Sequence, residues 1–152
     1  MAVVRNLETE VEDALIAVLG ASTDITTRAA VRKWRDGSNA ESYPVTLVHC
    51  SPIGNDPATH RGGLYIANVE VGVQTDTPSD KTQSVLQAIL GAVRDVLLAS
   101  DLITSLNAVT GVDLTFLDRG IEIESGEYSI DEADEINQTS LTLVCHVSRI
   151  VE

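Results

Sequence analysis

The chain has 152 residues, a hydrophobic fraction of 43% with only 3% aromatic, and a formal net charge of -13. That length suits one domain, residues 1–152, burying roughly 70% of its unfolded surface around a core of Val, Leu, Ile and Ala. The charge argues against wrapping by nucleic acid and against anionic membranes, both of which repel it over about a Debye length. No leader is readable and no apolar run approaches the roughly 18 residues of a membrane span, so the expected setting is the cytoplasm of the producing cell.

In chain order, Asn6 is placed to cap a first helix, with Glu8 and Glu10 in its first turn. Leu7, Val11, Leu15 and Val18 line one face before Gly20 ends it. Ser22 to Gly37 reads as mixed loop, because Thr26 to Arg35 suits either a short helix or extended chain. That stretch holds four of the ten basic residues, Arg28, Arg32, Lys33 and Arg35, and the only tryptophan, Trp34. In so acidic a chain, this basic and aromatic patch reads as a subunit contact rather than a nucleic-acid site.

Tyr43-Pro44 leads into a short strand, Val45 to Cys50, and Ile53 to Gly63 reads as a long loop because of its prolines and glycines. From Tyr65 to Thr75, apolar Val69, Val71 and Val73 alternate with polar Asn68, Glu70 and Gln74, the period of a strand with one buried face. The turn Thr77-Pro78-Ser79-Asp80 supplies a capping hydroxyl, a proline and a dipole-complementing aspartate, so a helix is expected to begin near Thr77. Val85, Leu86, Ile89, Leu90, Val93 and Leu97 form its apolar stripe, with Lys81, Gln87 and Arg94 off it. Leu102 to Leu106 reads as a short helix or turn, and Val112 to Leu117 and Leu141 to Val147 as two further strands. The expected fold is α+β: a mainly antiparallel sheet of about four strands with the helices packed on one face.

Glu122, Glu124, Glu127, Asp131, Glu132, Asp134 and Glu135 place seven carboxylates within fourteen residues, with no base among them. Such a segment reads as a solvated loop or one that meets a basic partner. It lacks the alternating ligands and the glycine of a calcium loop, and nothing fixes a carboxylate separation suited to glycoside hydrolysis. His49-Cys50 and Cys145-His146 look like four metal ligands, but neighbours on a strand point to opposite faces. One Cys and one His per face remain open for a metal or a nucleophile pair, with no orienting acid or oxyanion loop identifiable. Buried free thiols are the expected state of Cys50 and Cys145. Gly62-Gly63 precedes a strand instead of joining a strand to a helix, so it is not a phosphate loop. Neither catalysis nor a metal or other cofactor is expected.

The order of these elements resembles the tail terminator (tail completion) proteins of long-tailed bacteriophages. The likeness runs through the N-terminal helix, the basic stretch, the strand after Tyr43-Pro44, the long loop, and the long strand leading through Thr77-Pro78-Ser79-Asp80 into an amphipathic helix. Its closest local echo is Ser100-Asp101-Leu102-Ile103-Thr104-Ser105-Leu106, followed by Gly111-Val112-Asp113 and a strand. The resemblance implies a six-membered ring in the virion. That ring caps the finished tail tube, stops its polymerisation, meets the connector or neck proteins of the head, and lets DNA pass through its lumen without specific binding. A head-to-tail ring needs two different patches per subunit, and the basic and acidic runs are two such patches far apart in sequence. The rival readings are another neck or connector protein, a soluble binding module outside any virus, and a small enzyme.

Overall fold

The computed structural model describes residues 6–34, 43–55 and 64–149. Helix α1 (Leu7–Gly20) begins as its sequence dictates, with the Asn6 side chain accepting a hydrogen bond from the Thr9 amide at 3.1 Å. A one-turn helix, α2 (Thr23–Thr26), and a short strand, β1 (Ala30–Lys33), follow. The stretch expected to be mixed loop therefore contributes an edge strand; four residues carrying two charges are too few to display an alternation.

Strands β2 (Val45–Cys50), β3 (Gly54–Asn55) and β4 (Leu64–Asp76) come next. In β4 the side chains of Ala67, Val69, Val71, Val73 and Thr75 are buried, as the alternation requires. Helix α3 spans Ser84–Leu97 and buries Leu86, Ile89, Leu90, Val93 and Leu97, whereas Val85 stays 38% exposed at the margin of the stripe. It begins seven residues after Thr77, and the correction has a clear cause. Asp80 caps the helix from a distance, its two carboxylate oxygens each accepting an amide hydrogen bond at 3.0 Å, from Val85 and from Leu86. Gln83, at φ 60°, turns the chain into the first helical residue.

Helix α4 (Leu102–Asn107) leads to β5 (Thr115–Ser125), β6 (Ser129–Asp131) and β7 (Ile136–Ser148). These elements build one seven-stranded sheet in the order β1-β2-β4-β7-β5, with β3 on β4 and β6 on β7. Three of the strands, β2, β4 and β7, contain those expected; the strand expected over Val112 to Leu117 begins instead at Thr115 and runs on to Ser125, because pairing with β7 and not the alternation from Val112 sets its bounds. The sheet is nonetheless mixed, because β1 runs parallel to β2 while every other pair is antiparallel. The acidic segment is not a loop: β5 and β6 run consecutively along β7 and make a long hairpin that closes between Asp131 and Ile136. Charge composition suggested solvation, and the backbone is compatible with both, since edge-strand side chains also face water.

The helices cover one face of the sheet. Val48, Val69, Val71, Leu141, Leu143, Cys145 and Val147 meet Val11, Leu15, Leu86, Ile89 and Val93 in one core cluster. Cys50 and Cys145 are buried free thiols on this face, and burial pushes both up to about 12; for Cys50 the neighbouring Cys145, Glu12 and Glu8 add to it.

Three carboxylates of α1 pin distant backbone. Glu8 accepts from the Ile53 amide at 2.9 Å, Glu12 from the Cys50 amide at 3.0 Å, and Glu10 from the Asp113 amide at 2.9 Å while pairing with Arg149. Glu12 is 1% exposed, so the bond it accepts satisfies an otherwise buried anion. No described helix is long and apolar enough to cross a membrane.

Candidate interaction face

The helix-free face of the sheet is read from the register. Across β2, β4 and β7 its rows are His49–Glu70–Thr142, Leu47–Gly72–Ser140 and Val45–Gln74–Gln138. On the edge strands, Glu124 lies opposite Thr142 and Ser129 opposite Gln138. In the middle row a glycine and a serine stand side by side between rows of longer side chains, so the face is hollowed there. A trough of about 450 Å³ results, floored by these rows and walled by Trp34 at one end and by Glu127 and Ser129 at the other.

Each wall has a local origin. Trp34 follows the last residue of β1, stands 54% exposed, and lies with its ring 6.4 Å from that of His49. The opposite wall rises because the hairpin passes tightly over β7 between β5 and β6. There the Gly126 amide donates to the Ser140 carbonyl at 2.7 Å, and a Cβ on Gly126 would come within 2.4 Å of Ser140 Oγ. Only glycine fits that approach without displacing Ser140.

The expected basic patch is divided. Arg28 folds back on α2, donating to the Asp24 carbonyl at 2.7 Å and lying 3.8 Å from the Asp24 carboxylate. Lys33 faces the helix layer, with Nζ 2.6 Å from Asp13 of α1. Arg32, opposite Leu47, takes the other parity and faces the trough side beside Trp34. Arg35 lies outside the described residues.

The acidic residues are likewise spread. Glu122 and Glu124 stand on β5 opposite Val144 and Thr142, and Glu127 walls the trough. Asp131 turns the hairpin tip, its Oδ1 accepting from the amides of Ala133 and Asp134 at 3.1 and 3.2 Å. Glu132 and Asp134 are exposed in that turn, and Glu135, at φ 55°, presents its carbonyl to the Thr77 amide at 2.7 Å. The tip also approaches the start of β2. Partial burial, with the charges of Asp134 and then Asp131, pushes the Tyr43 phenol above its ordinary value.

The structure thus does not bring the basic and acidic runs together; it sets β1 and β5 at opposite edges of the sheet. Sequence reasoning missed the trough because Gly72 and Ser140 meet only through the β4–β7 register. It took Asp80 as a complement to the helix dipole and missed that its buried carboxylate accepts from Thr75 Oγ1 at 2.8 Å as well as from the helix amides. Burial pushes this acid upward, but the bonds from Val85, Thr75, Leu86 and Ser84 outweigh it and hold the group below its ordinary value. Among the described residues, no cluster of three His, Cys, Asp or Glu side chains is placed to hold a metal.

These features define a one-sheet α+β protein that buries one face of its sheet under helices and carries a trough on the other. No family model and no curated protein matches the chain. Its fold is similar to that of a chain in the virion of a native gene transfer agent (GTA) particle, with a TM-score of 0.63 at 18% identity over 90% of this chain and 93% of that one.

Proposed function

We propose that the chain is a structural virion protein of the tail terminator kind. Subunits join head to tail in a six-membered ring at the head-proximal end of a phage tail, where the ring ends tail-tube polymerisation and joins the tail to the head connector. The observation that carries the virion reading is the likeness of nine-tenths of the chain to a subunit of a virion particle. The order of the sheet supports the ring. A closed ring of identical copies needs one patch of each subunit to meet a different patch of the next, and here Arg32 and Trp34 mark one edge strand while Glu122 and Glu124 mark the opposite one.

In this reading Arg32, Trp34 and Arg35 of one subunit face carboxylates between Glu122 and Glu135 of the next. Arg28 and Lys33, tied to Asp24 and Asp13 in their own subunit, contribute little to this contact. Exposed pairs contribute only about 0 to 1 kcal/mol each, so charge sets the register and apolar contact supplies most of the affinity. The partners are other copies, the tail tube protein and the neck proteins, and DNA passes a negatively charged chain without specific binding. The role needs no catalytic activity and no cofactor.

Analytical ultracentrifugation tests the reading. The wild type should sediment as a hexamer or be recruited as a ring to tail-tube ends. Arg32→Glu with Arg35→Glu should weaken assembly more than folding, and a Glu124→Lys partner subunit should partly restore it, since coupled pairs are non-additive. A wild type that stays monomeric at high concentration and ignores tube ends removes the basis of the reading.

A further inference from the structure

The trough on the helix-free face has an occupant written into its chemistry. Its end wall is the half-exposed indole of Trp34, and its floor and far wall carry the exposed carboxylates of Glu70 and Glu127. Among the described residues, neither carboxylate has an ion-pair partner. Glu122 and Glu124 stand on the same face beyond β7, so four carboxylates there outweigh the one described arginine, Arg32, beside Trp34. The amides of Gln74 and Gln138, 3.5 Å apart, border the hollow at Gly72 and offer further polar partners without adding charge.

We infer that this trough is a docking site for an arginine-bearing segment of a different protein, laid across the strands. The indole face attracts a cation, and a planar guanidinium both stacks on an aromatic ring and pairs with a carboxylate through two parallel hydrogen bonds, which an ammonium does not. The hollow crosses β2, β4 and β7, two interstrand spacings or about 10 Å. That is longer than one side chain and suits a short stretch of peptide. Its volume of about 450 Å³ also falls within the range of pockets that enclose small ligands, roughly 300–1,000 Å³, and is too small for a folded element. Among the described basic residues of a second copy, Arg28, Lys33 and Arg149 are already held by Asp24, Asp13 and Glu10, which leaves Arg32, Lys81 and Arg94 as the competitors that experiment must separate from a foreign segment. Every residue named belongs to one subunit, so the site is complete in the monomer, and it competes with a ring contact that takes Trp34 and Glu127.

Trp34 is the only tryptophan, so its fluorescence reports occupancy directly. The probe is the peptide acetyl-Arg-Gly-Arg-amide, titrated at low salt into protein dilute enough to be monomeric, with its citrulline isostere as the neutral control. The arginine peptide should change Trp34 emission saturably, and the citrulline peptide should bind at least about tenfold more weakly. Glu70→Gln with Glu127→Gln should weaken the arginine peptide by about tenfold, whereas Glu132→Gln with Asp134→Asn, which removes equal charge at the hairpin tip, should change it less than about twofold. Equal weakening by both pairs would mean attraction to net charge alone and would overturn the inference. An emission that ignores the peptide, or that shifts with protein concentration before any peptide is added, would overturn it too; the second outcome would assign the trough to another copy. Failure of the peptide to bind leaves the ring reading standing, and failure of the ring leaves the peptide result standing.

Discussion

Removing the Asp80 carboxylate should cost the protein a large part of its stability, because several donors converge on it where little water can replace it. The Thr75 hydroxyl and the Val85 and Leu86 amides lie 2.8 to 3.0 Å from its oxygens, and Asp80 is 4% exposed. Hydrogen bonds to an ionised acceptor contribute about 1.5–3 kcal/mol each, but the Val85 amide sits at the exposed margin of the helix and rehydrates readily. For Asp80→Ala we therefore expect a loss of about 3–4 kcal/mol, or roughly 6–16 °C in melting temperature for a chain of this size. Asp80→Asn should cost less, about 1–2 kcal/mol, since one oxygen still accepts while the new amide group faces a donor.

The pH dependence separates the charge from the shape. The folded acid sits below its ordinary value, so its contribution is fully present above the unfolded pKa of about 3.9 and is lost as pH falls through the folded one. Urea denaturation of the wild type and Asp80→Asn from neutral pH to about pH 3 should show the two midpoints converging in the acid range, with unchanged slopes. A midpoint for Asp80→Ala within error of the wild type would refute the capping role. A gap between wild type and Asp80→Asn that stays constant into the acid range would refute its electrostatic origin.

Two further outcomes follow from the core. Val71 is fully buried between β2 and β7, so Val71→Asp, which places an unpaired carboxylate there at several kcal/mol, should leave no cooperative thermal transition by circular dichroism; melting within a degree or two of wild type would contradict the central position of β4. With both thiols pushed up to about 12, Cys50 and Cys145 should resist alkylation at pH 8 in the native protein and react fully in denaturant, and labelling of the folded state at the rate of a free thiol would show that they are not sealed in the core.

How far the sequence could be read depended on whether a feature is local. The valines of β4 and the stripe of α3 repeat with their own period, and both lie where that period puts them. The start of α3 was misplaced because a serine, threonine or proline next to the first turn is the usual signal, whereas here an aspartate four residues upstream of Ser84 reaches two of its amides. β1 and β6 are defined by the neighbours they pair with, and neither Ala30–Lys33 nor Ser129–Asp131 carries a pattern long enough to announce itself. The charges on the interaction face were visible as residues but not as partners. That Lys33 meets Asp13 while Arg32 turns away follows from one step of strand parity, and that Gly72 lies against Ser140 follows from pairing across 68 positions.

The place of β7 has a consequence for how the chain comes to be folded. This strand, Ile136–Ser148, follows every other described strand of the sheet in the chain, yet it lies inside the sheet and is the element against which β4, β5 and β6 all pair. Until it arrives, β4 has a naked edge and α3 has only half of the surface it later covers. The clasp beyond it waits too, since Glu10 of α1 pairs with Arg149 just past β7. Such long-range closure slows folding and leaves apolar strand edges exposed during synthesis. A nascent chain halted before Ile136 should therefore remain soft and open to proteases, and the sheet should harden in one step when β7 slides into its middle.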